Sequence, residues 1–104
     1  MELKQRTLAI LAALSQETRL DMFRIIVQAG ADGISAGEIS SELEIPTPTC
    51  SFHLKELRTA GTVHSQRVSR SIVYHANFTE LSAALGYILE NCCQGQAGKI
   101  EGLT

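Results

Sequence analysis

Cys92 and Cys93 stand side by side near the end of a 104-residue chain whose third cysteine is Cys50. Adjacent thiols can grip one soft, thiophilic ion together, or they can oxidise. A ring closed between neighbouring residues is strained, and an odd count leaves one thiol over, so these cysteines do not form a disulfide framework. Free thiols belong to a reducing compartment, and a cytoplasmic protein is the expectation. Cys92 extends the helical stripe of Leu81, Leu85 and Ile88, so it also reads as a small buried hydrophobe. Cys93 lies about 100° further around a helix and lacks that second explanation.

Little else in the sequence suggests reactivity. No nucleophile–base pairing, phosphate loop or carboxylate pair has a specific pattern, so an enzyme is not expected. A second feature is electrostatic. Between Thr47 and His75, Lys55, Arg58, Arg67 and Arg70 face a single acid, Glu56, for a net charge of +3. All three histidines, His53, His64 and His75, fall in the same stretch. The remaining residues carry five bases against ten acids, a net charge of −5. A local phosphate-facing surface on an acidic body has this asymmetry.

The elements that must position these residues follow from periodicity. Apolar content of 44% and charge of 19% suit one globular domain, read as residues 1–94, with 95–104 as a flexible tail. The start, Met1 to Leu14, faintly imitates a signal peptide, but no small-residue cleavage site follows and the helical pattern continues. No apolar run is long enough for a membrane span.

A first helix is expected from about Leu3 to Leu14, apolar enough for much of its circumference to be buried. Ser15 is the expected cap of a second helix carrying Leu20, Phe23, Ile26 and Val27, which Gly30 to Gly33 end. Ser35-Ala36-Gly37-Glu38 is a capping box that opens a short helix with Ala36, Ile39 and Leu43 inward. After Glu44-Ile45-Pro46, Thr47 and Pro48 supply a cap and a first-turn proline for a helix lined by Cys50, Leu54 and Leu57. Thr62 to Arg67 and Ser71 to Ala76 read as a hairpin. Asn77 or Thr79 caps a last helix, striped by Leu81, Leu85, Ile88 and Leu89. The order is α-α-α-α-β-β-α, mainly helical.

A short capped helix, a tight turn, a second helix with one apolar face and a basic hairpin make a winged helix-turn-helix. Its second helix must expose small or polar side chains near its N-terminus, where they reach base edges in the major groove. Thr47, Thr49, Ser51 and Phe52 lie off the Cys50-Leu54-Leu57 face. His53, Lys55 and Arg58 are placed for phosphates, and Arg67 and Arg70 flank the hairpin tip, for a minor groove or the backbone.

Leu14-Ser15-Gln16-Glu17-Thr18-Arg19-Leu20, Thr49-Cys50-Ser51-Phe52-His53-Leu54-Lys55-Glu56-Leu57 with Ala60-Gly61-Thr62-Val63, and Arg70-Ser71-Ile72-Val73-Tyr74 together resemble the arsenic-repressor (ArsR/SmtB) winged-helix family. The resemblance spans roughly Leu11 to Cys93 and implies a homodimer built through the first and last helices. It implies repression at a palindromic operator in double-stranded DNA, with half-sites about 34–36 Å apart, relieved by an effector.

The same resemblance bears on the cysteines. The family's C-x-C arsenic motif lies in the first helix of the helix-turn-helix, where this chain has Ser35 through Leu43 and no cysteine. Its last-helix zinc site needs histidines, and none follows His75. Glu90-Asn91-Cys92-Cys93 is similar to a branch with a vicinal pair that responds to trivalent arsenicals. Trivalent arsenic or antimony is thus the implied effector at Cys92 and Cys93, with no permanent cofactor. Arsenite takes three thiolates and an organoarsenical only two, and the tail offers no third. Cys50 stands on a core face, where a structural role is favoured. The alternatives are a thiol-based redox repressor and a winged-helix protein-interaction module without an operator.

Overall fold

A computed structural model of the chain describes residues 1–91; Cys92, Cys93 and the expected tail lie outside the described residues. The elements are α1 (Leu3–Leu14), α2 (Glu17–Ala29), a 3-10 turn (Gly30–Asp32), β1 (Ile34–Ser35), α3 (Ala36–Leu43), α4 (Thr47–Thr59), β2 (Val63–Val68), β3 (Ser71–Ala76) and α5 (Phe78–Ile88). This is the expected winged helix-turn-helix with one addition. The two-residue β1 pairs antiparallel with β3, giving a three-stranded sheet in the order β1-β3-β2.

The core forms where α2, α3 and α4 meet the inner face of the sheet. Met22, Ile26, Ile39 and Leu57 are fully buried, with Leu54, Cys50, Val63 and Tyr74 around them. Each such large aliphatic side chain removed from water contributes about 1.5–3 kcal/mol. Along α4, Cys50, Leu54 and Leu57 recur at spacings of four and three, so one stripe faces this core. The Cys50 thiol approaches the Ala36 carbonyl oxygen at 3.7 Å, on the helix packed against it. Its burial raises the thiol pKa, as suits an uncharged core residue.

Local chemistry fixes the connections. Ser35 and Glu38 form the expected capping box. Asn77 caps α5 by accepting from the Glu80 amide. Two other caps differ from expectation. Gln16, not Ser15, caps α2 by accepting from the Arg19 amide at 2.8 Å, because the Ser15 hydroxyl donates back to the Ala12 carbonyl and closes α1. Pro46 occupies the cap position of α4, which moves Thr47 and Pro48 into its first turn and leaves Thr47 without a capping bond. Gly33 is required by space. A Cβ there would lie 2.6 Å from His75 Nε2 and 2.8 Å from the Tyr74 carbonyl oxygen, and its φ is +69°.

α1 packs on α5 at the edge of this core. Thr7, Ile10 and Ala13 are its buried face, and Ala84 is the buried residue of α5. The Arg6 guanidinium donates two hydrogen bonds to the Glu80 carboxylate, at 2.8 and 3.0 Å, joining the two helices. The expected apolar stripe of α5 turns mostly outward. Leu81 packs against the core, whereas Leu85, Ile88 and Leu89 are exposed. Leu8 and Leu11 of α1 are exposed too. No helix among the described residues is long and apolar enough to cross a membrane.

Candidate nucleic-acid interface

α3 and α4 are joined by the three-residue turn Glu44–Pro46. Glu44 takes the left-handed conformation (φ 54°), and its amide reaches the Ser40 and Ser41 carbonyls. The Ser40 hydroxyl then donates to the Ile45 carbonyl at 2.7 Å, fixing the direction in which α4 leaves. With its core stripe anchored, α4 turns Thr47, Thr49, Ser51, Phe52, Lys55 and Arg58 to solvent. Phe52 is 56% exposed, a large apolar ring held away from the core. Small hydroxyl-bearing side chains in the first two turns, followed by cations, suit base edges first and phosphates beyond them.

The hairpin supplies a second basic point. β2 and β3 pair in register from Val63↔Ala76 to Val68↔Ser71, so the turn is Ser69-Arg70, with Ser69 at φ 59°. Arg67 and Arg70 are exposed at this tip. Val63 points into the core at the hairpin's base. Thr62 anchors that base: its hydroxyl donates to the Leu57 carbonyl at 2.8 Å, and its own carbonyl accepts from the Asn77 amide. The wing is therefore clamped to the end of α4.

His53 departs from its neighbours. It is half-buried, and its Nδ1 lies 3.3 Å from Nη1 of Arg19. The Arg19 Nε donates to the Ala13 carbonyl at 2.8 Å. Burial and the Arg19 charge hold the His53 pKa below its usual value, against an opposing pull from Glu56. Arg19 is the residue that reasoning from charge and periodicity missed. Its signal was the Thr18-Arg19-Leu20 motif, which says that the arginine matters but not what it touches. His64 and His75 stack across β2 and β3, with ring centroids 5.3 Å apart and planes within 13°. Among the described residues, no three His, Cys, Asp or Glu side chains are grouped to hold a metal ion.

Residues 14–66, about half of the chain, match the helix-turn-helix domain family. An ArsR-like transcriptional regulator from Rhodococcus sp. RHA1 superposes with a TM-score of 0.74 at 30% identity, covering 85% of this chain and 79% of that one. The chain belongs to the ArsR-like winged helix-turn-helix regulators. The transcriptional activator HlyU of Vibrio cholerae is 28% identical over 86% of this chain and 80% of its own. Its reduced form superposes with a TM-score of 0.65 over 84% of this chain and 90% of HlyU. The homodimeric winged helix-turn-helix DNA-binding domain Mb0332 of Mycobacterium bovis shares the fold at 20% identity and a TM-score of 0.67, over 84% and 80% of the two chains. This ArsR-like chain is thus a DNA-binding transcriptional regulator and not an enzyme. HlyU is described as an activator, so family membership leaves the direction of control open.

Proposed function

We propose that the protein is a cytoplasmic, homodimeric repressor that reads a palindromic operator with α4 and the β2–β3 wing. The observation that carries this reading is the solvent face of α4. Thr47, Thr49, Ser51 and Phe52 are exposed in its first turns, with Lys55 and Arg58 exposed further along α4 and Arg67 and Arg70 exposed on the wing. The second copy is argued from the α1–α5 layer. Leu8, Leu11, Leu85 and Ile88 are each about half exposed, a continuous cost in water that a like face removes. A relative of the same fold is a homodimer. Titrating duplex DNA at increasing salt tests the reading. A true operator complex weakens steeply, with a slope set by the phosphates neutralised, and weak, salt-insensitive binding would favour a protein-interaction module instead.

In this proposal the effector is a trivalent arsenical or antimonial bound by Cys92 and Cys93. The support is chemical: two adjacent thiols without a third suit an organoarsenical, or arsenite completed by an exogenous ligand. Cys50 is 1% exposed, which keeps it from serving as that third thiol. A redox role is the second reading, favoured by a relative whose structure is known in a reduced form. Operator release by arsenite, methylarsenite, antimonite, zinc and peroxide, repeated with Cys92→Ser and Cys93→Ser, separates the two. Unchanged release by arsenicals in both variants sinks the arsenical site, and release by peroxide alone selects the redox reading.

A further inference from the structure

Arg19 belongs to α2, yet its guanidinium joins two other helices. Nε donates to the Ala13 carbonyl at the end of α1, and Nη1 lies 3.3 Å from Nδ1 of His53, in the middle of α4. An arginine only donates, so Nδ1 must accept, and an imidazole that accepts there is neutral with its proton on Nε2. Nε2 has no partner among the described residues and is not sealed from solvent. The imidazole therefore keeps one free N–H donor on the helix that meets DNA.

We propose that Arg19 is a positioning residue for DNA binding: it locks His53 in the Nε2–H form and presents that donor to a DNA phosphate. The inference rests on the DNA-binding reading of α4. Arg19 holds its own place through three contacts in sequence. Gln16 accepts from its amide, Ala13 accepts from Nε, and His53 accepts from Nη1. A lysine keeps the charge but has no planar fork with which to bond Ala13 and His53 at once. The charged groups acting on the ring are Arg19 from α2 and Glu56 from α4. Both line one cleft of about 330 Å³, together with Ala9, Ala12 and Ala13 of α1 and with Met1, the residue before α1 that carries an amino-terminal charge. Protonating Nδ1 would leave two cations face to face and remove the acceptor that Arg19 uses. Burial and Arg19 hold the His53 pKa down, in agreement with this arrangement.

The experiment combines imidazole NMR of the wild-type protein with binding to a duplex that the wild type selects from a random DNA library. At neutral pH the His53 ring is expected as the Nε2–H tautomer, and in Arg19→Gln its titration midpoint moves up. Arg19→Gln and Arg19→Lys are each expected to weaken DNA binding about tenfold, in line with losing one charge-assisted phosphate contact. His53→Asn loses a similar factor, and the double variant Arg19→Gln/His53→Asn is no weaker than His53→Asn alone. Full affinity in Arg19→Lys, multiplying losses in the double variant, or an Nδ1–H tautomer in the wild type overturns the inference. Should a variant fail to fold, an Nδ1–H tautomer in the wild type still overturns the inference. A wild type without salt-steep DNA binding overturns the DNA-binding reading itself, whatever the tautomer.

Discussion

The helix-turn-helix with its wing and the more apolar α1–α5 layer treat water differently. α4 buries Cys50, Leu54 and Leu57, so its core stripe is complete within one chain, and it exposes hydroxyls, cations and the ring of Phe52. α1 and α5 bury Thr7, Ile10, Ala13 and Ala84, and leave Leu8, Leu11, Leu85 and Ile88 outside. The first region exposes what an anionic partner recognises. The second exposes what only an apolar partner covers, and on this reading one face serves DNA and the other a second copy.

Leu85, 51% exposed on α5, is where the two regions differ most in consequence. Leu85→Glu is expected to leave a folded chain, since an exposed position carries little packing, but to set a charge in the proposed dimer face. Light scattering should then give the 11.3 kDa mass of one chain instead of twice that. Operator affinity should fall about a hundredfold or more, because each half-site loses its tethered neighbour. A dimer that survives this change would assign the outward leucines to another partner.

The next largest effect lies in the complete region. Leu57 is fully buried under the α4–wing junction, and Leu57→Ala should cost about 2–5 kcal/mol of stability through lost transfer energy and a cavity. Chemical denaturation measures it. Here stability falls first and DNA binding follows, the reverse of Leu85→Glu. A cost under about 1 kcal/mol would mean that the α3–α4 core repacks freely, and the contrast between the two regions would lose its basis.

At the solvent face the expected effects are smaller and readable in salt. Lys55→Ala and Arg67→Ala should each lower DNA affinity modestly and reduce the salt slope by about 1, uniformly across sequences. Ser51→Ala should instead change which bases are preferred and leave the slope unaltered. An Arg67→Ala variant with an unaltered slope would take the wing off the phosphate backbone.

The sequence made the complete region more legible than the layer beside it. Cys50, Leu54 and Leu57 announce both a helix and the side it buries, and alternation with a short turn announces the hairpin. β1 was missed because two residues carry no periodicity; Ile34 and Ser35 become a strand only by pairing with Tyr74 and Val73. The α2 cap was misplaced by one because Ser15 and Gln16 are both able to cap, and the serine is used by the carbonyl behind it. On α5 the spacing of Leu81, Leu85, Ile88 and Leu89 gave the stripe but not what covers it. The expected site residues of α4 and the wing are exposed, except His53, which is half-buried against Arg19. Arg19 could not be placed, since its partner is 34 residues away in sequence.

The smallest effect tests the one ion pair found among the described residues, between Arg6 and Glu80. Its two parallel hydrogen bonds hold the Glu80 carboxyl below its usual pKa, against a smaller opposing effect of burial. A carboxyl whose pKa is depressed by folding stabilises the protein fully above its unfolded pKa, and that contribution disappears as pH falls through the folded one. Arg6→Gln should therefore melt below the wild type near neutral pH, with the gap closing as the solution is acidified below about pH 4. Arg6 is 41% exposed, so water screens the pair and the gap should be small. If the gap stays constant with pH, Arg6 supports the α1–α5 contact through the packing of its aliphatic stem, and the polar rim of the apolar layer contributes no charge effect of its own.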